Sequence, residues 1–190
     1  MRKLAEEIAN GALRNIGVVE EGGNNKGKWI EHYLNSVGLD TPNPWCAAFV
    51  YYRYKKAAEK TGVKLKDFPV SGYTPDFAKW AKDNKRFVLA SDAEDKIVCR
   101  PEKGDLVLFY FKSKGRIAHI GIVVKSDPRG CWVVAGNTSS DDENDNKTRD
   151  GDGVFNKFYS YDSFGEFGGF IVMDDPVVIV KKEGVDTKSL

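Results

Sequence analysis

Asp105-Leu106-Val107-Leu108-Phe109-Tyr110-Phe111 and Ile117-Ala118-His119-Ile120-Gly121-Ile122-Val123 are the two runs on which the fold is decided. Both are short, β-branched or aromatic, and bounded by turn residues, which is the composition of strands. The second extends to Lys125, and three more of the kind follow at Cys131 to Ala135, Val154 to Tyr161 and Gly169 to Met173. Turn-rich segments at Lys112 to Arg116, Ser126 to Gly130 and Thr138 to Asp152 separate them. Connections this short predict an antiparallel meander.

Upstream of these runs the hydrophobic period is helical. Leu4, Ala5, Ile8, Ala9, Ala12, Leu13 and Ile16 recur on one stripe, with Gly17 as a stop. Glu20 to Lys26 reads as a polar loop. Ile30, Tyr33, Leu34 and Val37 form a second stripe capped by Gly38. After the breaker cluster Thr41-Pro42-Asn43-Pro44-Trp45, the stretch from Cys46 to Lys60 runs without interruption to Thr61-Gly62. Cys46 is therefore expected in the first turn of a helix. A further helix is expected from Thr74-Pro75. Helices first and strands second predict an α+β domain over residues 1–175, with 176–190 as a tail. That tail carries one apolar run, Val177-Val178-Ile179-Val180.

Bulk properties exclude several classes of partner. The 190 residues suffice for one sizeable core. Twenty-nine Lys and Arg against 28 Asp and Glu leave a net charge of +1, so neither nucleic acid nor another polyelectrolyte is expected to bind. No apolar run reaches the length of a transmembrane span. The N-terminus turns acidic at Glu6-Glu7, where a secretory peptide would turn apolar, so synthesis in the cytoplasm without a signal peptide is expected. Three cysteines, Cys46, Cys99 and Cys131, are an odd count, and at least one thiol should be free.

The candidate chemistry centres on Cys46. A helix N-terminus stabilises a thiolate through its unpaired N–H groups and dipole, and the same groups can receive an oxyanion. Of the two histidines, His32 falls on the polar side of a helix, whereas His119 lies in an apolar strand. Alternation puts His119 on one face with Ile117, Gly121 and Val123. The bare backbone at Gly121 suggests that the Cys46 helix packs there. Asn137, ending the next strand, is placed to accept a hydrogen bond from the imidazole and orient it. Each residue also has an ordinary reading: Cys46 as a small buried hydrophobe, His119 as a core group, Asn137 as a turn residue. Trp45, with Tyr51, Tyr52 and Tyr73, can line a substrate groove or fill the core. Cys99 and Cys131 read as structural.

Four segments in order carry a resemblance. Pro44-Trp45-Cys46-Ala47-Ala48-Phe49-Val50 resembles the nucleophile motif of the CHAP family of cysteine, histidine-dependent amidohydrolases and peptidases, kin of the NlpC/P60 group. Lys103-Gly104-Asp105-Leu106-Val107-Leu108-Phe109 is similar to its first strand, Ala118-His119-Ile120-Gly121-Ile122-Val123 to its histidine strand, and Gly136-Asn137-Thr138 to its closing strand. Asn35-Ser36-Val37-Gly38-Leu39 resembles the approach to the cysteine in phage-associated members.

The resemblance implies a papain-like fold and a peptidoglycan amidase or endopeptidase, with Cys46 as nucleophile, His119 as base and then acid, and Asn137 as third group. One departure stands out: many members carry Glu two residues before that Asn, and here the position is Ala135. A wall- or peptide-binding module with weakened chemistry, or a cysteine amidase acting off the wall, are the alternatives. Peptidoglycan or its stem peptides are the expected partner. Without a visible leader, a holin or a delivery system with an immunity protein would supply the route to the wall. No cofactor is expected. Asp40 is the only carboxylate between Gly38 and Pro44, and an EF-hand register from Asp142 puts Lys147 where glycine belongs, so no metal is expected either.

Overall fold

The computed structural model describes residues 2–91, 100–139 and 151–174. Four helices come first: α1 (Lys3–Leu13), α2 (Lys28–Asn35), α3 (Cys46–Thr61) and α4 (Thr74–Asp83). Six strands follow: β1 (Phe87–Leu89), β2 (Leu106–Phe111), β3 (Arg116–Asp127), β4 (Gly130–Thr138), β5 (Gly153–Ser160) and β6 (Gly169–Ile171). The tail run at Val177 to Val180, the acidic stretch at Asp141 to Asn146, and Cys99 lie outside the described residues.

Local chemistry explains the helices. In α1 the stripe Leu4, Ala5, Ile8, Ala9 and Ala12 is fully buried. α3 ends on Gly62 at φ 72°, the left-handed cap that glycine adopts without a Cβ clash. α4 opens with proline in its first turn, where the missing N–H costs nothing. The stripe expected to run to Ile16 stops at Leu13, and Ile16 is 43% exposed. Beyond it the chain extends to pair with the start of β5: Gly17 N–H donates to Val154 O at 3.0 Å, Val154 N–H to Val18 O at 2.8 Å, and Glu20 N–H to Asp152 O at 2.7 Å. Sheet-type bonds from distant residues end the helix.

All strands are antiparallel, in the order β1-β6-β2-β3-β4-β5. The meander holds from β2 to β5. β6 departs from it, returning across the sheet to pair with β2 rather than β5. The return passes through a 3-10 turn at Tyr161–Phe164. Phe164 packs there against Phe109 and Phe170, ring centroids 5.1 and 5.2 Å away. Gly169 admits the close pairing: a Cβ on it would sit 2.1 Å from Val88 O. The outer strand β1 has no counterpart among the expected strands.

Both faces of the sheet are buried. Leu106, Leu108, Ile120, Ile122, Val134 and Ile171 meet the helices. Val107, Phe109, Val123, Val133 and Phe170 form a second core under Tyr161 and Phe164. Two-sided burial accounts for the nearly continuous apolar run of β2.

An ionic cluster fastens the N-terminus to this frame. Arg2 donates to Asp105 at 2.5 Å and pairs with Asp174. Asp105, 2% exposed, also accepts Met173 N–H at 2.9 Å and Glu102 N–H at 2.8 Å. Burial raises its carboxyl above the usual range, and these bonds and Arg2 act against that rise.

Candidate active site at the start of α3

Cys46 is the first residue of α3. The helix opens without a side-chain cap and without an acidic residue in its first turn. Its first internal bond is Phe49 N–H to Trp45 O, 2.8 Å. The N–H groups ahead of that bond have no carbonyl within the helix, so the positive end of the dipole lies at Cys46. With Cys46 only 2% exposed, water screens that field little. A helix start of this kind favours an anion and can receive an oxyanion.

Trp45 is held from three sides. Its ring is fully buried and stacked on Tyr33 at 5.6 Å. It lies so close to Gly136 that a Cβ there would fall 2.4 Å from the ring. Its indole N–H donates to Glu20 Oε1 at 2.8 Å. Its backbone N–H donates to Asn137 Oδ1 at 3.2 Å. A ring with no open surface packs; a groove-lining role for Trp45 is not supported by its position. Tyr51 and Tyr52 are half-buried, and Tyr73 is 49% exposed.

Asn137 stands at the end of β4 with φ 58°, in the left-handed region that asparagine tolerates. Its Nδ2 donates to Gly151 O at 2.8 Å and Asn25 Oδ1 at 3.2 Å. A flipped amide would oppose two acceptors with an oxygen and the Trp45 N–H with an NH2, so the orientation is determined by its neighbours. The side chain links β4, the Glu20–Lys26 loop and the residue before Cys46.

His119 is 8% exposed and stands opposite Phe109 on β2, rings 5.3 Å apart. The β2–β3 register slips between Phe109 and Tyr110, making Ala118 an extra residue beside the histidine. Such a bulge bends the strand and re-aims its neighbours. β3 and β4 pair from Asp127↔Gly130 to Ile122↔Val134. Asn137, beyond the last of these pairs, bonds to the residue preceding Cys46.

The expectation that α3 packs over Gly121 is corrected. A Cβ on Gly121 would meet Val133 and Ala135 of β4, on the face away from the helices. α3 meets the sheet through the opposite face, with Ile120, Ile122 and Val134 in its core, and presses closest at Gly136. Ala135 is 1% exposed, paired with Phe155. Cys131 is fully buried, and burial pushes its thiol up to about 12, which makes it inert. His32 is exposed on α2. Among the described residues no cluster of His, Cys, Asp or Glu could hold a metal ion, and no helix is long and apolar enough to cross a membrane.

Sequence reasoning missed Glu20 and Asn25. Asn25, at φ 55°, donates its backbone N–H to Glu20 Oε2 at 2.7 Å. Asparagine between glycines marks a left-handed turn, but its partners are far away in the chain.

An α+β domain with a cysteine opening a helix and a six-stranded antiparallel sheet behind it has the papain-like hydrolase architecture. The family model described as CHAP domain matches residues 38–137, more than half of the chain, and the chain belongs to the CHAP family. The matched segment contains Cys46 and His119 and ends on Asn137. Comparison with curated proteins and with solved structures gave no match. CHAP domains are cysteine- and histidine-dependent amidohydrolases, so membership implies peptidoglycan hydrolase or amidase-type activity at the cell wall.

Proposed function

We propose that this protein cleaves an amide bond of peptidoglycan with Cys46 as nucleophile and His119 as general base and acid. The observation that carries the reading is Cys46 at the first residue of α3, within the segment matched by the CHAP family. The Cys46 thiolate attacks the carbonyl carbon, and the first-turn N–H groups receive the oxyanion. Protonated His119 gives its proton to the departing amine, leaving a thioester. His119 then takes a proton from water, whose oxygen attacks the thioester carbonyl and releases the thiolate. Asn137 supports this arrangement as a positioning residue. Its amide is spent on Trp45, Asn25 and Gly151, which fixes where α3 begins.

The bond is either the N-acetylmuramoyl–L-alanine amide or a peptide bond of the stem or cross-bridge. Digestion of purified sacculi followed by mass spectrometry of the products decides between them. A new amino terminus within the stem or cross-bridge marks an endopeptidase, whereas a free lactyl carboxylate on muramic acid with an intact stem freed at its L-alanine amine marks an amidase. Intact sacculi after prolonged digestion overturn the proposal. Ala135, where many family members carry glutamate, is the observation that favours a weakened binding module, and such a module would bind sacculi without releasing fragments.

A further inference from the structure

Four hydrogen bonds close a ring through four residues from three separate parts of the chain. Trp45 N–H donates to Asn137 Oδ1 (3.2 Å), and Asn137 Nδ2 donates to Asn25 Oδ1 (3.2 Å). Asn25 N–H donates to Glu20 Oε2 (2.7 Å), and Trp45 Nε1–H donates to Glu20 Oε1 (2.8 Å). Trp45 is entered twice, at its backbone and at its indole. Two bonds to one residue remove its rotation as well as its translation, and the next residue is Cys46.

We propose that Glu20 and Asn25 are positioning residues for the reactive cysteine, which hold the start of α3 by clamping Trp45 against Asn137. Each corner of the ring is anchored elsewhere. Glu20 N–H bonds to Asp152 O at 2.7 Å and fastens the loop to the β5 approach. Glu21 N–H to Lys26 O, 2.9 Å, closes the turn containing Asn25. Asn137 Nδ2 bonds to Gly151 O at 2.8 Å. Trp45 rests on Gly136 and Tyr33. The ring uses both oxygens of Glu20 as acceptors, a demand that glutamine cannot meet. Its amide nitrogen would face either the indole N–H or the Asn25 N–H, donor against donor. Asn25 is 6% exposed, so its amide is not available to bulk water as a substitute partner.

This inference rests on Cys46 being the nucleophile, and the test separates the two claims. Iodoacetamide labelling with peptide mapping follows Cys46 and Cys131 in the same sample across a range of pH, well below the melting temperature. In the unsubstituted protein Cys46 reacts faster than Cys131; equal rates overturn the nucleophile assignment itself. Glu20→Gln is expected to slow Cys46 labelling about tenfold at neutral pH and to move the onset of its reactivity to higher pH. Asn25→Gly removes the amide without straining the left-handed backbone and is expected to act alike, whereas Asn25→Asp, which keeps the acceptor, restores most of the rate. A fast Cys46 whose rate and pH profile are unchanged in both Glu20→Gln and Asn25→Gly overturns the positioning role while leaving the nucleophile in place. A fall in melting temperature with an unchanged profile overturns that role equally. Should Glu20→Gln fail to fold, the Asn25→Gly and Asn25→Asp pair decides alone.

Discussion

The side-chain oxygen of Asn137 accepts the backbone N–H of Trp45 at 3.2 Å, across 92 positions of sequence. This bond joins the end of β4 to the residue preceding Cys46, and it makes the start of α3 a property of the sheet as much as of the helix. Asn137→Gly keeps the left-handed backbone and deletes the amide. It is expected to cost about 1–3 kcal/mol, the penalty of unpairing buried polar groups, measured by urea unfolding. Hydrolysis should fall with it. Asn137→Asp should be no better, since its second oxygen would face Gly151 O and Asn25 Oδ1. An Asn137→Asp variant with full activity would contradict the assigned amide orientation.

Cys46→Ala and His119→Ala are expected to lower sacculus hydrolysis by at least about a thousandfold, as removal of a nucleophile or its base does. Melting temperatures should stay within about 4 °C of the parent, a change on the order of 1 kcal/mol at most for so small a domain. Turbidity assays on sacculi alongside calorimetry read both quantities. Lysis at the parental rate in either variant would end the assignment.

Gly136 and Gly121 offer a paired test of where α3 rests. A methyl at Gly136 meets the Trp45 ring at 2.4 and 2.9 Å and Phe49 Cβ at 3.0 Å. Gly136→Ala should therefore destabilise the fold by about 1–3 kcal/mol and also impair hydrolysis, because the strain falls on the residue beside Cys46. A methyl at Gly121 meets Val133 Cγ1 at 2.4 Å, on the far face of the sheet. Gly121→Ala should lower stability with a smaller loss of kcat. The reverse ranking of kcat would mean that the cysteine helix sits over Gly121 after all.

Arg2→Ala removes the cation beside buried Asp105. A buried carboxylate left with only the Met173 and Glu102 N–H donors should cost about 2–3 kcal/mol at pH 7. The sign of the pH dependence follows from the raised Asp105 pKa. Between the ordinary carboxylate range and that raised value the native state holds the proton and the unfolded state does not, so stability at this site rises as pH falls. The deficit of Arg2→Ala should therefore shrink as pH falls through the Asp105 titration. Urea unfolding at pH 7 and pH 4.5 measures it; an equal deficit at both would show that the Arg2 contribution is not electrostatic.

Much of the architecture was legible because it is local. The α1 stripe, the cap at Gly62 and proline in the first turn of α4 each depend on residues within a few positions of one another. The alternation expected in β3 breaks at the Ala118 bulge, where Ile117 joins Ile120 and Ile122 in the helix-side core and Ala118 joins Val123 in the other. Cys46 at a helix start followed from Pro42, Pro44 and the uninterrupted run after it. The return of β6 to β2 was not legible, because a three-residue strand carries no mark of its partner. Nor was the extension at Gly17 to Glu20, whose bonds go to residues 152 and 154.

By itself the sequence determined the α+β class, the placing of Cys46 in the first turn of a helix, and a histidine strand and an asparagine turn as candidate partners. Hydrophobic period and backbone stereochemistry act over a few residues, so they can be read in order along the chain. Only the tertiary structure decided that Gly136 rather than Gly121 lies beneath α3, and that Trp45 is clamped rather than open. The same holds for Glu20 and Asn25, which meet Asn137 in one ring of hydrogen bonds. Those outcomes depend on hydrogen-bond partners and packing surfaces as far apart as Asn25 and Asn137, which no local preference encodes.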